Sequence, residues 1–234
     1  MRISKPAAMC MTSGDVYNLL VKSVPDFMPG FDGLQRVFAP FFATELYEAR
    51  DLVAYIPRLD CEVDTNYRQF IMYAVIRTEN NKVLVYNRQP KGSDVGEAGL
   101  AGAASIGFGG HIELMDYNPN PWVSLRRSMQ RELREELYHH AIGSDVMFFE
   151  EESYHCHVLG VIHSNASDVD KVHLAVVMLV DLPCSSEDLV EGALYSKEPD
   201  QVRNLRWVPV EKLHEEEGME GWSSAIIKSN LLIL

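Results

Sequence analysis

Residues 107–137 read GFGGHIELMDYNPNPWVSLRRSMQRELREEL. The last seven of them, Arg131-Glu132-Leu133-Arg134-Glu135-Glu136-Leu137, set the chemistry. A helix advances about 100° per residue, which puts Glu132, Glu135 and Glu136 at i, i+3 and i+4 on one face. Leu125, Met129, Leu133 and Leu137 form an i+4 apolar stripe beside that face, suited to a core. Three crowded carboxylates repel one another, and a hard divalent cation removes that cost. Oxygen ligands at this density suit Mg²⁺ or Mn²⁺. The same face has a plainer reading as a solvated acidic surface in which Arg131 pairs with Glu135 at i+4.

Upstream, residues 105–113 (SIGFGGHIE) read as a short strand broken by glycines. Gly109 and Gly110 there are candidate substrate contacts, because glycines allow backbone N–H groups close to a ligand. Asn120 is placed to cap the acidic helix and Pro121 to occupy its first turn. The predicted order is strand, glycine turn, loop, carboxylate helix.

This arrangement resembles the Nudix family. Its signature runs Gly, five residues, Glu, seven residues, then Arg-Glu-aliphatic-any-Glu-Glu-any-Gly-aliphatic. Gly110 matches the opening glycine, and Arg131, Glu132, Leu133, Glu135 and Glu136 match the core. Three departures stand out. Asp116 occupies the leading Glu position counted from Gly110. Twenty residues separate Gly110 from Arg131 where the pattern has thirteen. Tyr138 and His139 replace the closing glycine and aliphatic residue. A smaller branch, predicted phosphoesterases of the MutT type, is similar over roughly residues 55–180. That likeness is carried by Pro57-Arg58, the acidic residues after it, SIGFGGHI and Val172-His173-Leu174.

The resemblance implies an α/β/α sandwich with a mixed sheet, here at residues 55–234, with residues 1–54 as an extension packed on it. It implies metal held by Glu132, Glu135 and Glu136 with the Gly110 carbonyl. The implied reaction is hydrolysis of a pyrophosphate linkage in a nucleoside diphosphate derivative, with Arg131 orienting a glutamate. A nucleotide-sensing module is a second implied reading. An isopentenyl diphosphate isomerase is a third, although that family's Gly-His turn carries a cysteine and this one has none. A homodimer is a further expectation from similar proteins.

The net charge of −13 argues against a nonspecific nucleic-acid binder, which shows a basic footprint. It does not disfavour a small phosphorylated substrate, since bound metal neutralises phosphate locally. Hydrophobic content of 47% and charged content of 24% are globular values. Cys10, Cys61, Cys156 and Cys184 have no CxxC spacing, which fits buried thiols in a reducing cytosol. No stretch approaches the roughly 18 apolar residues of a membrane span, and residues 1–15 lack a long apolar core. A cytoplasmic protein is expected.

Along the chain, residues 1–13 read as a tail. A short helix follows over 16–21, capped by Ser13 or Asp15. Residues 25–33 are turn-rich, 37–50 carry no clear period, and 52–56 read as a strand. Residues 68–76 and 82–88 read as a hairpin turning at Asn80-Asn81. Arg88 ends it and is a candidate phosphate ligand through two parallel hydrogen bonds, or an ordinary surface arginine. Residues 91–104 form a glycine- and alanine-rich loop. Residues 154–163 are a strand with His155 and His157 on one face, a conceivable metal pair or simply exposed histidines. Glu150, Glu151 and Glu152 before it are a candidate extra ligand or base, or a solvated run. Residues 172–182 read as a central strand, 204–210 as a later one, 211–214 as the start of a helix, and 221–234 as a closing helix.

Overall fold

The computed structural model describes residues 6–29, 31–89, 102–139, 154–186, 194–196 and 202–233. In chain order the elements are β1 (Ala7–Thr12), α1 (Ser13–Ser23), β2 (Leu34–Arg36), α2 (Ala39–Glu48), β3 (Ala54–Pro57), α3 (Arg58–Cys61), β4 (Tyr67–Thr78) and β5 (Lys82–Arg88). They continue with β6 (Ala104–Ser105), β7 (Gly107–Phe108), α4 (Pro121–Glu136), β8 (Leu137–His139), β9 (His155–Ile162), β10 (His173–Leu182), β11 (Leu194–Ser196), β12 (Val202–Pro209) and α5 (Gly221–Lys228). The large sheet runs β12-β5-β4-β10-β9-β2, with β1, β3, β6 and β7 attached off this path, and β8 pairs with β11 separately. This is the mixed α/β architecture expected. The expected loop at 91–104 lies mostly outside the described residues, as do Glu150, Glu151 and Glu152.

Two compact units are distinguishable by their contacts. The first comprises Met1–Tyr73, Gly109–Met129 and Val158–Met178. Its first surprise is β1, read from sequence as tail. β1 pairs antiparallel with β3 and then with β4, where Cys10 faces Gln69 and Met11 faces Arg68. Ala8, Met9, Cys10 and Met11 are all buried. Apart from Thr12 at its end, the segment AAMCMT has no β-branched or aromatic residue, so its strand character comes from burial more than from propensity. Helix α1 starts earlier than expected. Thr12, not Ser13 or Asp15, is its cap, and its hydroxyl accepts from the Asp15 N–H at 3.1 Å. Val16, Leu19, Leu20 and Ser23 give α1 a buried stripe. The unclear stretch 37–50 is largely α2, where only Phe42 and Leu46 are buried.

The second unit comprises Ala74–Phe108, Gln130–His157 and Leu179–Leu234. Its β5 pairs with β12, with a bulge between Arg203 and Arg206. Asn204 there takes a left-handed conformation at φ 54°. Glu220 caps α5, and its carboxylate accepts from the Ser223 and Trp222 N–H groups. The closing helix is shorter than the sequence suggests, ending at Lys228 with a 3₁₀ turn at Leu231–Ile233. Val210–Glu215 is likewise a 3₁₀ turn.

Candidate active site

Helix α4 forms as its sequence predicts. The Asn120 side-chain oxygen accepts from the Trp122 N–H at 3.0 Å, and Pro121 opens the helix. Leu125, Met129 and Leu133 are buried, so the stripe that fixes the helix also sets the roll of its acidic face. The helix stops at Glu136, and Leu137 opens β8 instead of closing the last turn.

Within the second unit, Arg131 lies between two glutamates. Its Nη1 donates to Glu132 Oε1 at 2.8 Å and to Glu135 Oε2 at 3.1 Å. The Arg131 and Glu132 side chains retain only 14% and 15% of their exposure, while Glu135 keeps 53%. Glu132 is thus held in a sheltered position by a charge-assisted bond, and Glu135 ties the arginine from the solvent side. Among the described residues no three His, Cys, Asp or Glu side chains converge on one point. With two of their carboxylates drawn to Arg131, the glutamates share a face without collapsing together.

The charges of Arg88 and Glu136 both act on Tyr86. This phenol is buried and donates to the Gly107 carbonyl at 2.9 Å. Burial pushes its pKa up, Arg88 pulls it down and Glu136 pushes it up, so both charges act on one hydroxyl. Sequence reasoning missed Tyr86, because an aromatic in an alternating strand reads as core.

The glycine turn belongs to the first unit. Gly109 sits at φ 132°, and a Cβ there would stand 2.2 Å from the Met72 carbonyl oxygen. Gly110 accepts from the Met72 N–H at 2.8 Å. The turn therefore lies directly against β4, and close backbone packing alone requires a glycine at 109. Asp116 is buried in a capping box: its carboxylate accepts from the Glu113 N–H at 2.9 Å, and Glu113 reciprocates.

Next to the turn, His111 meets His173, their Nε2 atoms 3.2 Å apart and their rings at 66°. His173 Nδ1 lies 2.7 Å from the Val169 carbonyl. These histidines are 62 residues apart in sequence, and no spacing rule joins them. The expected histidine pair on β9 is different. His155 and His157 are both exposed, and His157 Nδ1 lies 3.8 Å from Asp181, which Arg77 grips at 2.7 Å.

No family model matches the chain. YmaB of Bacillus subtilis (strain 168) is 29% identical over 173 residues, spanning 73% of this chain and 74% of that protein. The crystal structure of Tm1382, provisionally assigned as a Nudix hydrolase, superposes with a TM-score of 0.70 at 21% identity. That match covers 97% of this chain and all of the other. The chain has the Nudix fold.

Against the Nudix pattern, the added residues between Gly110 and Arg131 acquire a structure. They hold the 3₁₀ turn Leu114–Asp116 and a pair of asparagine turns. The Asn118 side chain accepts from Asn120 N–H at 2.9 Å, and the Asn118 N–H donates to Ser124 Oγ at 2.8 Å. The acid at the leading Glu position of the Nudix pattern is thereby engaged in capping. The Nudix closing glycine is replaced where the chain passes from α4 into β8.

Proposed function

We propose that this chain is a Nudix-type pyrophosphohydrolase that uses Mg²⁺ or Mn²⁺ to cleave a nucleoside diphosphate derivative. The observation that carries the reading is Arg131 bridging Glu132 and Glu135 on the face that also bears Glu136. The donor set fits the cation: hard carboxylate oxygens, part sheltered and part exposed. When bound, the cation lowers the pKa of a coordinated water and neutralises phosphate charge.

The residues have distinct tasks. Arg131 keeps Glu132 oriented. Arg88 offers a guanidinium to a phosphate oxygen. Water oxygen attacks phosphorus, the P–O–P bond breaks, and the water proton passes to a carboxylate, for which Glu132 is the candidate within this face. A ligand-sensing module is the second reading, and Asp116 supports it, because the leading acidic group is spent on capping.

A hydrolysis screen over nucleoside diphosphate derivatives with Mg²⁺ and Mn²⁺ tests the reading, with Glu136→Gln alongside. Turnover that the variant loses is the expected result. Binding without turnover by the wild type would replace the hydrolase with the sensor.

A further inference from the structure

The His111–His173 pair has a geometry that the proposed hydrolysis does not use. His173 opens β10 and is buried, while His111 is half-buried. Both are fixed by their backbones. His111 bridges to Ile71, and its carbonyl accepts from Ser128 Oγ at 3.3 Å. The His173 carbonyl accepts from Arg68 at 3.4 Å. The 2.7 Å contact to Val169 requires the His173 proton on Nδ1, because a carbonyl only accepts. The Nε2 lone pair of His173 is then directed at His111. Orientation of one ring nitrogen by a backbone carbonyl, with the other left as a lone pair, is how metal-binding histidines are commonly held.

The separation fits too. Two imidazole nitrogens bound to one tetrahedral ion at about 2.0–2.1 Å stand roughly 3.3 Å apart. Here they stand 3.2 Å apart. Without a cation the same distance serves a hydrogen bond in which His111 donates its Nε2–H to His173. Burial holds the His173 pKa below its ordinary value, against the Val169 bond.

We propose that His111 Nε2 and His173 Nε2 form a binding site for an imidazole-seeking divalent cation, with Zn²⁺ as the representative ion. Among the described residues no third acidic, cysteine or histidine side chain joins them. Water or a ligand oxygen would complete the coordination. Nitrogen ligands favour Zn²⁺, Ni²⁺ and Cu²⁺ over Mg²⁺ and Mn²⁺. The pair thus differs in ion preference from the oxygen-only face of α4.

The test is calorimetric titration of the full chain with Zn²⁺ in excess Mg²⁺, on wild type, His111→Gln, His173→Gln and Glu136→Gln. One binding event is expected, weakened at least tenfold in each histidine variant and retained in Glu136→Gln. Unchanged affinity in both histidine variants, or loss of the event in Glu136→Gln alone, overturns the assignment. Should His173→Gln fail to fold, ¹⁵N spectra of the wild-type histidine side chains decide. One equivalent of Zn²⁺ must move both Nε2 resonances, and if neither moves the two rings are a hydrogen-bonded pair only.

Discussion

Two sheltered arginines, Arg68 and Arg131, are used in opposite ways. Arg68, buried on β4, donates to neutral oxygens: the Ser164 carbonyl at 3.1 Å, the His173 carbonyl, the Asp170 carbonyl and the Asn165 side chain at 2.6 Å. It clamps the 163–173 connection, and burial lowers its pKa with a partial offset from Asp170. Arg131 is met by carboxylates. Dipoles fixed in the backbone have nowhere else to go, so Arg68's contacts are permanent. Carboxylates can be claimed by a cation, so Arg131's contacts are exchangeable. A buried guanidinium among carbonyls is architecture, whereas one among glutamates serves chemistry under the proposed function.

The contrast can be broken most sharply at the acidic face. Glu136→Gln is expected to lower kcat by about 10³-fold, roughly 4 kcal/mol of transition-state stabilisation, with unchanged thermal stability. A variant that loses stability instead would move Glu136 to the architectural side. Next, Arg68→Met should cost about 3 kcal/mol by urea unfolding, because it leaves buried carbonyls without a donor. A midpoint within error of wild type would show that the clamp is dispensable.

The same clamp has a pH signature. Burial, then the nearby Arg68 charge, lowers the His163 pKa to about 4 from an ordinary 6.5. A histidine depressed in the fold takes up its proton more readily when unfolded, so stability is full above 6.5 and falls as pH drops towards 4. The expected loss at pH 5 relative to pH 8 is about 2 kcal/mol from this group. His173 shifts in the same direction. Melting curves across that range should flatten in His163→Asn, and a curve as steep as wild type would remove His163 from the account. The smallest effect belongs to Arg131→Ala, with Mg²⁺ or Mn²⁺ affinity lower by about tenfold, roughly 1.4 kcal/mol, and substrate preference unchanged. Equal metal affinity would count against its orienting role.

Legibility followed the source of each element's stability. Strand β4 and helix α4 were readable because their apolar period is local: a run from Phe70 to Ile76, and a stripe through Leu125, Met129 and Leu133. Strand β1 was not, since alanine, cysteine and methionine become a strand only once β3 and β4 flank them. Helix α2 was obscured by Phe38 at its cap and Phe41 in its first turn, both exposed, which blur the i, i+4 pair Phe42 and Leu46. The acidic face was legible as residues sharing a helix. The joint action of Arg88 and Glu136 on Tyr86, and the meeting of His111 with His173, depend on long-range folding that no window of sequence contains.

The ends of the large sheet carry a last consequence. At one end β2 has three residues; at the other β12 is broken by the bulge at Asn204 and closes on Pro209. A long flat border would invite another chain to add itself strand upon strand, the route by which sheet proteins clump. Short or kinked borders offer too few aligned amides for that. Among the described residues, the borders at β2 and β12 are thus poor templates for growth from molecule to molecule.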